Sequence, residues 1–327
     1  PFQILTKTNR GIDDVLGQAQ LAIEIETRLK TGITPREVAY DLTGTLRDLS
    51  SEVLVPGRMF TAQELQLTGA PDLLEISGEG RVSDIPFTGI WSQPLGAENL
   101  PSQVTAKFEL SSRSLKALNI ALPACCLSGV AEGALRLDIA KNKPMAFELS
   151  SDLTGARLQS AALNWSKPEA QAAQLRVQGV FGQPVQVNIL ALEAQGLSLE
   201  GTVEFDDEGL DRVVLSRLAV GDWLDGAATF IHQGAGAPMR LLLSGDLDLR
   251  SYGKLAGGDR APSDASRPMP MSLNLGRLQL SNNLFLSEVR ADFDRGLAAG
   301  GAFAGRVNGG VRISAQMFGQ GPGLRLS

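Results

Sequence analysis

Leu197-Ser198-Leu199-Glu200-Gly201-Thr202-Val203-Glu204-Phe205-Asp206 alternates apolar and polar residues without a break. Successive strand side chains point to opposite faces, so this stretch reads as a strand with one apolar and one wet face. The same period of two returns at Leu241, Leu243, Gly245, Leu247 and Leu249, set against Ser244, Asp246, Asp248 and Arg250. It recurs at Leu21, Ile23 and Ile25, at Leu65 and Leu67, at Leu135, Leu137 and Ile139, and at Leu278 and Leu280. A chain of 327 residues built this way makes a very large sheet with one apolar side.

Working outward, strands are expected over Gln18 to Arg28, Glu37 to Leu46, Glu64 to Thr68, Asp72 to Arg81, Phe87 to Trp91 and Gln103 to Leu110. They resume from Gly133 to Leu190, then at Leu197 to Phe205, Val213 to Val220, Gly226 to His232, Met239 to Leu249, and from Met271 to the end. The best helix candidate is Ser111 to Leu118, with serine caps, Leu115 and Leu118 three apart, and Pro123 soon after. Ser251 to Ala256 is a second short candidate. Gly257 to Pro270 has turn composition and is the one internal break the sequence offers. The patterns on its two sides match, so residues 1–327 are expected to form a single array. Weak repetition agrees: Asp41-Leu42-Thr43-Gly44 returns as Asp152-Leu153-Thr154-Gly155.

Composition narrows the function. With 36 Asp and Glu against 30 Lys and Arg, the chain is mildly acidic and shows no basic patch, so nucleic acid is not an expected partner. Aromatics are only 5%, so the apolar face is aliphatic rather than aromatic-anchored. The chain opens Pro1-Phe2-Gln3-Ile4 and ends on strand-like alternation, which reads as a fragment of a longer protein. The longest apolar stretch, Leu118 to Leu127, is interrupted by Asn119 and Pro123 and too short to span a bilayer.

Chemistry-bearing constellations are few. His232 is the sole histidine and stands at an apparent strand end with no activating carboxylate or cysteine arrangement beside it. Cys125 and Cys126 are adjacent, which strains a disulfide and lacks zinc-site spacing. Asp206-Asp207-Glu208 reads as a strand running into a polar turn rather than as a calcium loop. Gly296 to Gly301 lacks the Lys-Ser/Thr of a phosphate loop. Trp91 and Trp165 read as packing residues at strand ends. No catalytic residue, metal site or cofactor is therefore expected.

An amphipathic sheet must cover its apolar face. A second sheet about 10 Å away, helices, or a curl that leaves a groove for acyl chains are the available covers. Too few helices are expected, and the aliphatic composition suits the groove. The expected fold is thus all-β: an elongated, repetitive antiparallel sheet curled into a hydrophobic groove, with one or two short helices. About 20 strands at about 4.8 Å would extend on the order of 100 Å. The expected groove lining is Leu21, Ile23, Ile25, Leu65, Leu67, Leu135, Leu137, Leu197, Leu199, Val203, Phe205, Leu241, Leu243, Leu278 and Leu280.

Several of these segments resemble the YhdP / AsmA-like family of Gram-negative envelope proteins. The carrying residues are Asp152-Leu153-Thr154-Gly155, Leu163-Asn164-Trp165-Ser166-Lys167-Pro168, Gly196-Leu197 to Gly209-Leu210, Asp246-Leu247-Asp248-Leu249-Arg250, Phe303 to Gly310, and Gly89-Ile90-Trp91. The resemblance implies a β-rich periplasmic body, anchored in the inner membrane by a helix outside this fragment. It implies phospholipid as the partner, carried toward the outer membrane, with outer-membrane or other envelope proteins as further partners, and no catalysis. Two other readings stay open: an envelope scaffold or assembly factor that holds a partner's strand by edge pairing, and a β-rich hydrolase or sugar-binding module.

Overall fold

A computed structural model describes residues 15–27, 38–55, 58–95, 100–117, 127–160, 163–206, 209–234, 237–252, 269–293, 300–319 and 324–326. The chain is nearly all β, with two short helices among the described residues. It divides into two compact units, Pro1–Ala156 with Val180–Gly182, and Arg157–Gly179 with Gln183–Ser327. The expected break at 257–270 falls on residues that lie outside the described set up to 268.

The first unit is a meander. Its strands are β1 (Val15–Glu26), β2 (Ala39–Val55), β3 (Arg58–Gly69), β4 (Leu73–Val82), β5 (Ile85–Pro94), β6 (Ser102–Ser111), β7 (Leu127–Ile139) and β8 (Met145–Ser151). Each pairs antiparallel with the next. Helix α1 (Ser112–Ala117) follows β6 where the serine caps predict it. Ser111 Oγ accepts from Ser114 N at 3.3 Å and Ser114 Oγ accepts from Ser111 N at 2.7 Å, a reciprocal cap at the helix start.

Strands β9 (Ala156–Ser160) and β10 (Trp165–Lys167) form a hairpin, followed by β11 (Gln174–Phe181). The second unit continues with β12 (Gln186–Ala194), β13 (Leu197–Asp206), β14 (Gly209–Val220), β15 (Leu224–Ile231), β16 (Arg240–Asp248), helix α2 (Leu249–Tyr252), β17 (Met271–Ser281), β18 (Leu284–Phe293), β19 (Gly300–Val307), β20 (Arg312–Gly319) and β21 (Leu324–Leu326). From β12 to β21 each strand pairs antiparallel with its successor, with one exception. β16 and β17 are parallel. The sheet is therefore mixed, which corrects the expectation of antiparallel pairing throughout. The connection from Leu249 to Pro270 is long enough to return the chain to the same end, as a parallel pair requires. The second helix begins at Leu249, ahead of the expected Ser251, and residues 253–256 lie outside the described set.

Bulges keep the apolar residues on one face where the sequence period slips. In β14, Leu215 pairs with Gly201 but Leu218, not Arg217, pairs with Leu199, because Ser216 is an extra residue. Asp48 in β2 and Glu288 in β18 sit at similar slips, with φ of 52° and 51°. An inserted residue moves everything beyond it to the opposite face unless the ladder absorbs it locally.

Candidate functional site: an apolar sheet face

Ladder partners share a face, so the register shows which side chains stand together. In the first unit one row runs Leu21, Gly44, Leu67, Ile76, Trp91, Val104, Leu137 and Phe147 across β1 to β8. A neighbouring row runs Ala19, Leu46, Leu65, Gly78, Gly89, Ala106, Leu135 and Leu149. On the opposite face the row between them is Gln20, Thr45, Gln66, Ser77, Ile90, Thr105, Arg136 and Glu148, polar at every strand but one.

The second unit repeats the arrangement. One row runs Ala194, Leu197, Val220, Leu224, Leu247, Leu278, Leu286 and Val307 across β12 to β19. At the other ends of the strands a row runs Val187, Val203, Val213, Phe230, Leu241, Met271 and Phe293. Between them lies Leu190, Gly201, Leu215, Ala228, Leu243, Leu273, Ala291 and Phe303. The reverse face carries Asp225, Asp246, Arg277, Ser287, Arg306 and Arg312 in register.

The ladders bring most of the expected lining residues together within each unit. Leu21, Leu67 and Leu137 share a row; Leu65 and Leu135 share the next; Ile23 pairs with Leu42 and Ile25 with Tyr40. Leu197 and Leu278 share a row, as do Val203 and Leu241, with Leu199 and Leu243 between these rows. Phe205 pairs with Leu210 at the end of β13. Leu280 falls inside the slip between Gln279 and Ser281, has no partner in β18, and is 37% exposed.

Cover varies within each unit. Leu65, Leu67 and Leu197 are buried, whereas Leu135, Leu137, Leu199, Val203, Phe205, Leu241, Leu243 and Leu278 are half-buried. On β1, Leu21, Ile23 and Ile25 are exposed at 43%, 58% and 66%. The inner face of a closed dry sandwich would be buried throughout. Here a large part of the aliphatic face in each unit keeps contact with solvent.

Sequence reasoning missed Ile76, Val104 and Phe147, which lie on the same rows but in strands whose alternation is diluted by serine, glycine and threonine. It also missed Leu218, Leu275 and Val289, because bulges break the period beside them. Trp91 lies within β5 on the apolar row, not at a strand end.

The wet face is held by exposed charge pairs between and along strands: Arg47 with Glu64 at 3.3 Å, Lys107 with Glu132 at 2.8 Å and Arg306 with Glu288 at 2.9 Å. Such pairs contribute little stability each and serve mainly to keep this face in water. The Glu132 carboxylate, hydrogen-bonded to the Lys107 ammonium, raises its pKa. The Ser111 hydroxyl donates to Glu109 at 2.7 Å and, with the Arg113 guanidinium, holds that carboxyl below its usual range against the opposing effect of burial.

Among the described residues no group of three or more His, Cys, Asp or Glu side chains converges on a point. His232 follows β15 half-buried, its backbone N–H donating to Asp211 O at 2.8 Å. Asp206 Oδ1 accepts from Gly209 N at 3.0 Å, a turn contact. Cys125 and Cys126 lie outside the described residues. No helix among the described residues is long and apolar enough to cross a membrane. No protein-family model matches the chain, and no curated protein or solved structure matches it either.

Proposed function

We propose that this chain is part of a lipid-transfer conduit of a Gram-negative envelope, a binding and transport body rather than an enzyme. The observation that carries the reading is the set of unbroken apolar rows crossing the strands of each unit, half-open to solvent and backed by a charged face. Transport along such a row needs no reacting group. Each buried CH₂ contributes about 0.8 kcal/mol, so an acyl tail is held on the aliphatic face much as in a bilayer. Neighbouring positions are chemically alike, which lets the tail slide with its head group in water. The proposed location is the periplasm, with the inner-membrane anchor in a part of the protein outside this chain.

Native mass spectrometry with lipid extraction, on protein purified from a bacterial envelope, tests this. Phospholipid should co-purify with the parent chain and be lost in Leu199→Asp and Val203→Asp. Thr202→Asp, on the wet face between them, should retain it. A chain that stays empty when lipid is added removes the reading. The alternative, an envelope scaffold or assembly factor, is favoured by β1, where Leu16, Ile23 and Ile25 stand 69%, 58% and 66% exposed. Captured protein in place of lipid would select it.

A further inference from the structure

The polar face of the second unit carries a hollow of its own, on the side away from the apolar rows. Its residues follow from the register of β18, β19 and β20. Arg290 pairs with Ala304, and Ala304 with Ser314; Asp292 pairs with Ala302, and Ala302 with Gln316. Ala302 and Ala304 thus line up along β19, with Arg290 and Asp292 on one side and Ser314 and Gln316 on the other. All six are exposed, whereas the residues that alternate with them, Ala291, Phe303 and Ala315, are buried or half-buried.

The hollow arises from a difference in side-chain size. Two methyl groups floor it, and longer side chains on the neighbouring strands wall it. The walls stand two strands apart, about 10 Å. The space amounts to about 780 Å³, and Asn274, the β17 partner of Arg290, extends its lining. That volume suits a small-molecule or short-oligomer site.

The charge in this trough is uncompensated. Asp292 is already met by Arg240 at 2.9 Å and by the Ser272 hydroxyl, which donates to it at 3.3 Å. The Arg290 guanidinium makes no hydrogen bond or ion pair among the described residues, and the same holds for the side chains of Asn274, Ser314 and Gln316. Arg312 stands one row along as the partner of Arg306. Glu288 holds Arg306 at 2.9 Å, but Arg312 is unpaired among the described residues. In a chain of net charge −6, this trough offers two free cations and three free neutral polar groups around two methyls.

That set of groups selects a ligand class. A guanidinium binds a carboxylate through two parallel N–H donations. Amides and a hydroxyl, each both donor and acceptor, match sugar hydroxyls. Alanine methyls match the C–H face of a sugar ring. A bare inorganic anion would engage the guanidinium and leave the amide acceptors and the methyls unused. We propose that the trough along β19 binds an acidic oligosaccharide, with Arg290 on a sugar carboxylate and the ring resting on Ala302 and Ala304. The site lies on the face opposite the apolar rows, so it stands or falls apart from the conduit reading.

Calorimetric titration of the full chain with tetragalacturonate, maltotetraose and inorganic phosphate tests this. Tetragalacturonate should bind, and maltotetraose, which has no carboxylate, should bind weaker by about tenfold or more. Arg290→Gln should weaken tetragalacturonate by about tenfold or more. Ala304→Phe, which fills the trough without changing the charge, should abolish binding. Lys107→Gln, on the polar face of the first unit, should bind as the parent does. A thermal melt checks that the variants, all at exposed positions, remain folded. Phosphate binding as tightly as tetragalacturonate overturns the sugar ligand in favour of a bare oxyanion site. Equal losses in Arg290→Gln and Lys107→Gln overturn the site in favour of diffuse charge attraction. Failure of tetragalacturonate to bind the parent, or unchanged binding in Ala304→Phe, overturns the trough outright. Neither Arg290 nor Ala304 lies on the apolar rows, so lipid capture by the same variants reads the conduit separately.

Discussion

Phe87 of β5 and Gly80 of β4 are ladder partners, and a Cβ on Gly80 would stand 2.8 Å from Phe87 Cζ and 2.7 Å from the carbonyl oxygen of Thr61. The pattern repeats two strands on, where a Cβ on Gly133 of β7 would stand 2.7 Å from Cζ of its partner Phe108. Phe87 and Phe108 are themselves partners, so two rings cover two glycines in one row. Aromatic cover of a cross-strand glycine restores the apolar area that the glycine lacks. Gly80→Ala should cost about 1–3 kcal/mol, because the backbone of β3 cannot yield. Gly133→Ala meets only the far end of a ring and should cost less. Urea midpoints of the two variants compare them; equal cost would show that the Thr61 carbonyl is no obstacle.

The bulge at Ser216 gives a prediction on adjacent residues. Strict alternation from Leu215 would turn Arg217 to the apolar face and Leu218 to water. The ladder does the reverse: Leu218 pairs with Leu199 and is 3% exposed, and Arg217 pairs with Glu200. Leu218→Ala should cost about 2–5 kcal/mol. Arg217→Ala should stay within about 0.5 kcal/mol of the parent. Denaturant titration of both decides it, and a larger loss at Arg217 would mean the register is wrong.

Much of the fold was legible because period-two alternation is a direct print of strand geometry. Leu197 to Asp206 follows it throughout and Leu241 to Asp248 at every position but Leu242, and both are strands, with Leu241, Leu243 and Leu247 on one face and Leu242 on the other. The helix at Ser112 was legible through its serines, whose side chains cap it reciprocally. The slips were not. Asp48, Ser216 and Glu288 are ordinary polar residues in strand-like surroundings, and nothing in their chemistry marks a bulge as a glycine would. Leu280 was placed on the lining by alternation, but a register slip beside it removes its partner. The parallel pairing of β16 and β17 was hidden for another reason: direction depends on where the Leu249–Pro270 connection returns the chain, and side-chain pattern does not encode that. The contacts between β10, the turn at Trp223 and α2 were hidden as well, because they join residues far apart in sequence.

The Glu109 carboxyl is the clearest pH-sensitive group. Its pKa is lowered chiefly by the Ser111 hydroxyl, with the Arg113 charge helping and burial opposing. A carboxyl whose folded pKa lies below its unfolded one stabilises the fold above the ordinary value of 4.5, and that contribution is lost as pH falls through the folded value. Ser111→Ala should return the Glu109 titration toward the ordinary range. Arg113→Gln should return it by a smaller amount. Carbon-detected NMR titration of the side-chain carboxyl reads both, and an unchanged titration in Ser111→Ala would assign the shift elsewhere.

The last prediction concerns Glu288, whose φ of 51° places a non-glycine residue in the left-handed region at the slip between Ser287 and Arg290. That conformation costs an L-residue about 1–2 kcal/mol. Glycine relieves it but gives back about 0.5–1 kcal/mol through greater freedom of the unfolded chain. Removing the carboxylate also breaks the pair with Arg306, where Glu288 is 68% exposed, a contact worth about 0–1 kcal/mol. The three terms nearly cancel, so Glu288→Gly should leave stability within about 1 kcal/mol of the parent. Valine has the same loss of charge, gains no backbone freedom and is branched at Cβ, which the left-handed region accommodates worst. Glu288→Val should therefore fall clearly below Glu288→Gly in a thermal melt. If the two variants melt together, Glu288 is not held in the left-handed conformation, and the phase change that puts Val289 and Leu286 on the same apolar face must be made elsewhere in β18.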